Sequence, residues 1–177
     1  MISEHILEDK WDFYFMKRVA SNKGLQADSY GHNIKKIATV STIEEFWSTY
    51  SHLIISKDVH TDYHIFRSGI KPIWEDENNL KGGKWILRLK KGISPRLLEY
   101  LAMAVIGNQF AREEVCGIVL SLRFGEDVLS LWTRTAHSKS LDEMKKTFIR
   151  VLELPEDVTV TYKAHDLSIK DNVGLTE

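Results

Sequence analysis

Residues 115–133 read VCGIVLSLRFGEDVLSLWT. Two apolar runs, Val115–Phe124 and Val128–Thr133, flank Gly125-Glu126-Asp127, a pattern that predicts a β-hairpin. Upstream, Lys84–Leu89 alternates: Trp85, Leu87 and Leu89 share one face, while Lys84, Ile86 and Arg88 share the other. Trp11–Lys17, Asn33–Val40, Tyr63–Phe66 and Thr159–Tyr162 read as further strands. Three helices interleave with them. Capping-box pairs Ser41/Glu44 and Thr42/Glu45 open the first, whose apolar stripe is Ile43, Phe46, Trp47 and Tyr50. Ser94 caps the second with Pro95 at its first position; Leu97, Leu98, Leu101, Ala102 and Val105 face inward, and Gly107 stops it. Ser140 and Glu143 box the third, with Met144, Phe148 and Val151 inward and Pro155 after its end. Strands that pair as hairpins or are separated by single helices, each with one polar face, predict an α+β domain: a mostly antiparallel sheet with helices on one side.

The chain has 177 residues, of which 43% are hydrophobic and 28% charged, as expected of one globular domain. Lys plus Arg is 24 and Asp plus Glu is 25, a net charge of −1, which excludes a broad cationic surface for duplex DNA but not a small basic site for a few phosphates. The single cysteine, Cys116, makes no internal disulfide and no multi-cysteine zinc site, so a reducing, cytoplasmic setting is expected. No signal peptide, membrane span, repeat or Pro/Gly/Ser linker is visible. The expected organisation is a flexible segment 1–10, one domain over 11–166 and a flexible tail 167–177.

Trp74 stands apart from the other four tryptophans. Core packing is the ordinary fate of an indole, but Trp74 sits in the polar stretch PIWEDENNLKGGK, beside Glu75 and Asp76, where little apolar cover is expected. An indole beside carboxylates suits a flat cationic ring: the indole stacks on it, and a carboxylate accepts hydrogen bonds from its edge. Lys84 and Arg123 fall on one sheet face and suit phosphates; the plain alternative is solvated surface charge. His60, Asp62 and His64 alternate at the spacing of zinc ligands on one face of a strand, but no matching cluster accompanies them, and no metal site or cofactor is expected. No nucleophile motif, P-loop or dinucleotide fingerprint occurs, and Cys116 lies inside an apolar strand, so no catalytic residue is assigned. A small hydrolase using Glu75, Asp76 or His64 is the rival from another functional class.

Taken together, FWSTYSHL, HIFRSGIKPIWEDENNLKGGKWILRL, VCGIVLSLRFGEDVLSLW and YKAHD resemble the messenger-RNA cap-binding translation initiation factor 4E family, from about Trp11 to about Asp166. SYGHNIKKI, GIKPIWED and RFGEDVLSLW are most similar to its class II branch, the 4E homologous protein and the plant novel cap-binding protein. The resemblance implies a curved sheet with three helices on its convex face, a monomer, and 7-methylguanosine-capped messenger RNA as ligand. By motif, Tyr30 and Trp74 would sandwich the methylated base, Glu75 would accept from its N1 and N2 donors, Trp132 would touch the methyl group, and Lys84 and Arg123 would hold the phosphates. Class I has tryptophan at the place of Tyr30 and a phosphate-binding lysine at the place of Val128, so weaker cap binding is implied. On the helical side the family binds peptides with a Tyr-x-x-x-x-Leu-Φ motif (Φ apolar); Ile43, Trp47, Glu99 and Gly107 would form that surface, with Glu99 standing where class I has leucine. Composition alone would bury Trp47; the resemblance exposes it. The function implied is regulation of translation as a class II repressor or specialised adaptor, and the alternative is a general initiation factor that recruits a scaffold protein to capped messenger RNA.

Overall fold

The computed structural model describes residues 4–18, 33–53, 55, 60–136 and 139–166. Seven strands form one antiparallel sheet: β1 (Ile6–Lys17), β2 (Lys35–Thr42), β3 (Thr61–Arg67), β4 (Gly83–Leu89), β5 (Val115–Leu122), β6 (Asp127–Thr133) and β7 (Val160–Ala164), in spatial order β2-β1-β3-β5-β6-β4-β7. Three α-helices, α1 (Ile43–Tyr50), α2 (Ser94–Ile106) and α3 (Leu141–Val151), pack on one face.

Strand alternation divides the sheet cleanly. Trp11 and Phe13 of β1, Tyr63 and Ile65 of β3, Trp85, Leu87 and Leu89 of β4, and Leu129 and Leu131 of β6 point to the helices. There they meet Phe46, Leu98, Leu101 and Phe148 in the main core. The intervening residues point to the opposite, helix-free face. The register aligns them in transverse rows: Asp12–Phe66–Gly117–Trp132–Lys84–Lys163 is one, Tyr14–His64–Val119–Ser130–Ile86–Thr161 the next, and Met16–Asp62–Ser121–Val128–Arg88 the third.

Several local expectations are revised. β1 begins at Ile6 rather than Trp11, because Arg112 pairs with Glu8 and Asp9 and Arg67 pairs with Asp9, tying the strand's start to its neighbours. The β5–β6 hairpin turns over 123–126, closed by the Arg123 N–H donating to the Glu126 carbonyl at 3.2 Å, so Phe124 leaves the strand and stands exposed at the tip. Thr42, not Ser41, caps α1: its hydroxyl accepts from the Glu45 N–H at 3.1 Å, while the Glu45 carboxylate accepts from the Ser41 N–H at 2.6 Å. Ser94 does not cap α2, since its hydroxyl donates to Asp127 at 2.7 Å; the cap position is Ile93. Ser140 stands at the N-cap of α3 without a side-chain capping bond.

The predicted α1 stripe splits. Phe46 and Tyr50 are buried, whereas Ile43 and Trp47 are 44% and 40% exposed. Residues 43 and 47 lie one turn apart on one edge of a helix that has only 8 residues, and only its 46/50 side meets the sheet.

Candidate functional site

A second, smaller apolar cluster occupies the helix-free face. Phe66, Ile70, Cys116, Val119 and Trp132 form it, with Tyr14 and Trp74 packed at its margin. Trp74 is therefore half-buried on an apolar floor, not bare as its polar neighbours predict. Its cover comes from strands remote in sequence, which local composition does not reveal.

The segment 68–82 that carries Trp74 is held from within. The buried Asn79 amide donates to the Lys71 and Ile73 carbonyls, both at 2.8 Å. Asp76 accepts from the Lys71 N–H at 3.0 Å and from the Asn78 N–H at 2.9 Å. The Arg134 guanidinium donates to the Asn78 side-chain oxygen at 2.8 Å. Asp76 is thus consumed in shaping the loop. Where the loop enters β4, a Cβ on Gly82 would collide with the Thr133 carbonyl oxygen and one on Gly83 with the Tyr162 hydroxyl, so these two positions need glycine for close approach. Glu75, next to Trp74, is exposed, and no described residue hydrogen-bonds its carboxylate.

Lys84 lies half-buried beside Trp74. Its Nζ sits 5.7 Å from the Trp74 ring centroid and 5.6 Å from that of Trp132, within cation–π range of both. Burial lowers its pKa, the neighbouring Lys163 lowers it further, and Asp62 opposes both. Trp132 is 5% exposed, so its role is that of floor rather than of a free wall. Its ring meets Phe66 edge-on at 5.4 Å and His165 at 4.3 Å, and its Nε1 has no hydrogen-bond partner. Arg123 stands exposed at the β5–β6 turn, one residue beyond the end of β5. Tyr30 lies outside the described residues.

Of the expected partner surface, Ile43 and Trp47 are exposed on α1, and Trp47 packs edge-on against Phe46 at 5.1 Å and Tyr50 at 6.1 Å. Glu99 is half-buried on α2, and Gly107 is exposed at that helix's C-terminal cap. These four lie on the helical side, across the sheet from Trp74.

Two histidines also line the helix-free face: His64, considered above only as a metal ligand or hydrolase residue, and His165, which sequence reasoning passed over. His64 and His165 are buried with no hydrogen-bond partner at either ring nitrogen. Burial pushes both down to about 3, with Arg18 adding to the shift of His64 and Lys84 to that of His165. Among the described residues no group of three His, Cys, Asp or Glu side chains is placed to hold a metal; His60 is exposed in a left-handed conformation, while Asp62 and His64 do share a face. Burial pushes the Cys116 thiol up to about 12, which keeps it protonated and inert. No described helix is long and apolar enough to cross a membrane.

The family model for eukaryotic initiation factor 4E matches residues 6–176. The translation initiation factor NCBP of Oryza sativa subsp. japonica is 41% identical over 172 residues, covering 95% of this chain and 74% of that protein. Initiation factor 4E-4 of Caenorhabditis elegans is 38% identical over 173 residues, covering 95% and 80%. Among solved structures, Ascaris suum eIF4E-3 with m7G cap superposes with a TM-score of 0.83 at 32% identity, covering 92% of each chain. C. elegans eIF4E-3 with the 4E-binding protein Mextli and a cap analog superposes with a TM-score of 0.86 at 28% identity, covering 95% of this chain and 96% of that one.

Proposed function

This chain belongs to the eukaryotic initiation factor 4E family, and from that premise we propose that it binds the 7-methylguanosine cap of messenger RNA on the helix-free face of its sheet and regulates translation without catalysing a reaction. One arrangement carries the reading: Trp74 anchored on an apolar floor, exposed Glu75 beside it, and the Lys84 ammonium set between the Trp74 and Trp132 rings. A methylated guanine is a flat cation with N1 and N2 donors on its edge. Trp74 stacks on its face, with Tyr30 as the second ring; Glu75 accepts from its edge; Trp132 backs the methyl group; Lys84 and Arg123 take the phosphates. On the helical side, Ile43, Trp47, Glu99 and Gly107 receive a Tyr-x-x-x-x-Leu-Φ peptide. The class II features of the sequence, Tyr30 and Val128 at the places of a class I tryptophan and lysine, favour a specialised role, as a repressor or adaptor, over that of a general factor.

Tryptophan fluorescence tests the cap site, because a base stacked on Trp74 quenches it. Wild type is expected to bind 7-methyl-GTP at least tenfold tighter than GTP, since only the methylated ring is cationic. Glu75→Ala, which removes an exposed carboxylate, should leave the fold intact and abolish measurable binding. Equal affinity for the two nucleotides, or unchanged binding by folded Glu75→Ala, would refute the assignment.

A further inference from the structure

The helix-free face holds a cation that the site described above leaves unused. Arg18 follows β1, and its backbone N–H donates to the His60 carbonyl at 2.7 Å. It continues the alternation of Asp12, Tyr14 and Met16 and so falls on the helix-free face. Its Nη2 donates to Asp62 at 3.0 Å, and Asp62 is almost fully buried on β3. A guanidinium has five donors; here Nε is buried and has no hydrogen-bond partner among the described residues.

Register places this pair relative to the other cations. Lys17 lies opposite Thr61, and Thr61 opposite Leu122, so Arg18 and Arg123 leave the sheet at the same end, one strand between them. Strand spacing puts their backbones about 10 Å apart, a gap two arginine side chains can close from both sides. Asp62 lies in the row Asp62–Ser121–Val128, and its carboxyl is influenced by both Arg18 and Lys84. Val128, next in that row, is apolar and brings no charge, and Arg88 beyond it is paired with Glu126. A triphosphate carries more negative charge than Lys84 and Arg123 balance.

We propose that Arg18 is a third phosphate-binding cation of the site, positioned by its ion pair with Asp62 and offering its remaining guanidinium donors to the phosphate chain of the capped nucleotide. Arginine suits this task because its planar fork can serve a carboxylate and a phosphate oxygen together. The inference rests on the cap-binding reading and deepens it: Arg18 sets how strongly affinity depends on the number of phosphates.

The test titrates wild type and Arg18→Gln with the 7-methylguanosine mono-, di- and triphosphates at two salt concentrations. Arg18→Gln is expected to lose about tenfold on the triphosphate and about twofold or less on the monophosphate, with a shallower salt dependence. Because Arg18→Gln leaves Asp62 buried without its cation, the double variant Arg18→Gln/Asp62→Asn is titrated and melted in parallel, and it should show the same phosphate-dependent loss. Adding Val128→Lys to Arg18→Gln should restore triphosphate affinity and leave monophosphate affinity unchanged. A loss of equal factor on all three ligands, no loss, or no recovery with Val128→Lys overturns the proposal. Wild type that binds GTP as tightly as 7-methyl-GTP overturns the cap reading instead, and the phosphate series then judges Arg18 on its own. Wild type that binds none of these ligands overturns both.

Discussion

Single residues set how the molecule responds to acid. His64 and His165 are held neutral by burial at about 3, whereas in the unfolded chain a histidine titrates near 6.5. Between those values the unfolded chain binds protons that the folded chain refuses, so stability falls as pH falls from 6.5 toward 3. At pH 5 the penalty approaches about 2 kcal/mol per histidine. Asp9, lowered to about 2 mainly by its Arg112 hydrogen bond against the cost of burial, acts in a lower window, from 3.8 down. The melting temperature should therefore drop between pH 7 and pH 5, and His64→Asn should remove about half of that drop. A melting temperature flat across this range contradicts the assignment of both histidines. Only part of this was legible in the sequence. The alternation of Asp62 and His64 was visible, as was the burial of Cys116 within an apolar run. That His64 has no partner among the described residues depends on what the two neighbouring strands, β1 and β5, place around it.

At the scale of elements, α1 shows why an apolar stripe is not the same as a buried one. Ile43, Phe46, Trp47 and Tyr50 look equivalent on a helical projection, yet the sheet covers only Phe46 and Tyr50. In the function proposed above, the exposed pair, with Trp47 as its aromatic member, anchors a docked helix, and such anchors typically contribute about 2 kcal/mol or more to binding. Trp47→Ala is expected to weaken binding of a synthetic Tyr-x-x-x-x-Leu-Φ peptide by about thirtyfold or more while cap titration stays unchanged. A fully buried tryptophan would instead cost roughly 3–5 kcal/mol of stability and damage both activities. Thermal melting of the same variant separates the two. Helix starts were legible to the extent that the serine or threonine had no better partner. Thr42 caps α1 as its spacing to Glu45 predicts; Ser94, read as a cap from Pro95 after it, is claimed by Asp127, a residue 33 positions away.

Across the whole molecule, one set of strands serves two surfaces. The period of two in β4 and the hairpin of β5 and β6 were enough to read an antiparallel sheet with helices on one side. The site face was harder, because Trp74 depends on Phe66, Cys116 and Trp132 for its seat and on Asn79 and Asp76 for the shape of its loop. Those contacts join segments that no local pattern links.

Lys84 resting against two indoles has a consequence for selectivity. The Lys84 ammonium lies beside the same two indoles that, in the function proposed above, a cationic base would claim. On that reading a nucleoside lacking phosphates would evict it and offer no anion in return, and an unmethylated triphosphate would draw it away and leave the indole without a cation. Only a molecule positive at one end and negative at the other satisfies both partners of the exchange. The two halves of the ligand should therefore be synergistic rather than additive. In a four-ligand cycle of guanosine, 7-methylguanosine, GTP and 7-methyl-GTP, the methyl group should raise affinity by about fivefold or more beyond what it adds to the bare nucleoside, a coupling of about 1 kcal/mol. With Lys84→Met that synergy should disappear, and the methyl group and the phosphates would then be recognised as strangers on the same surface.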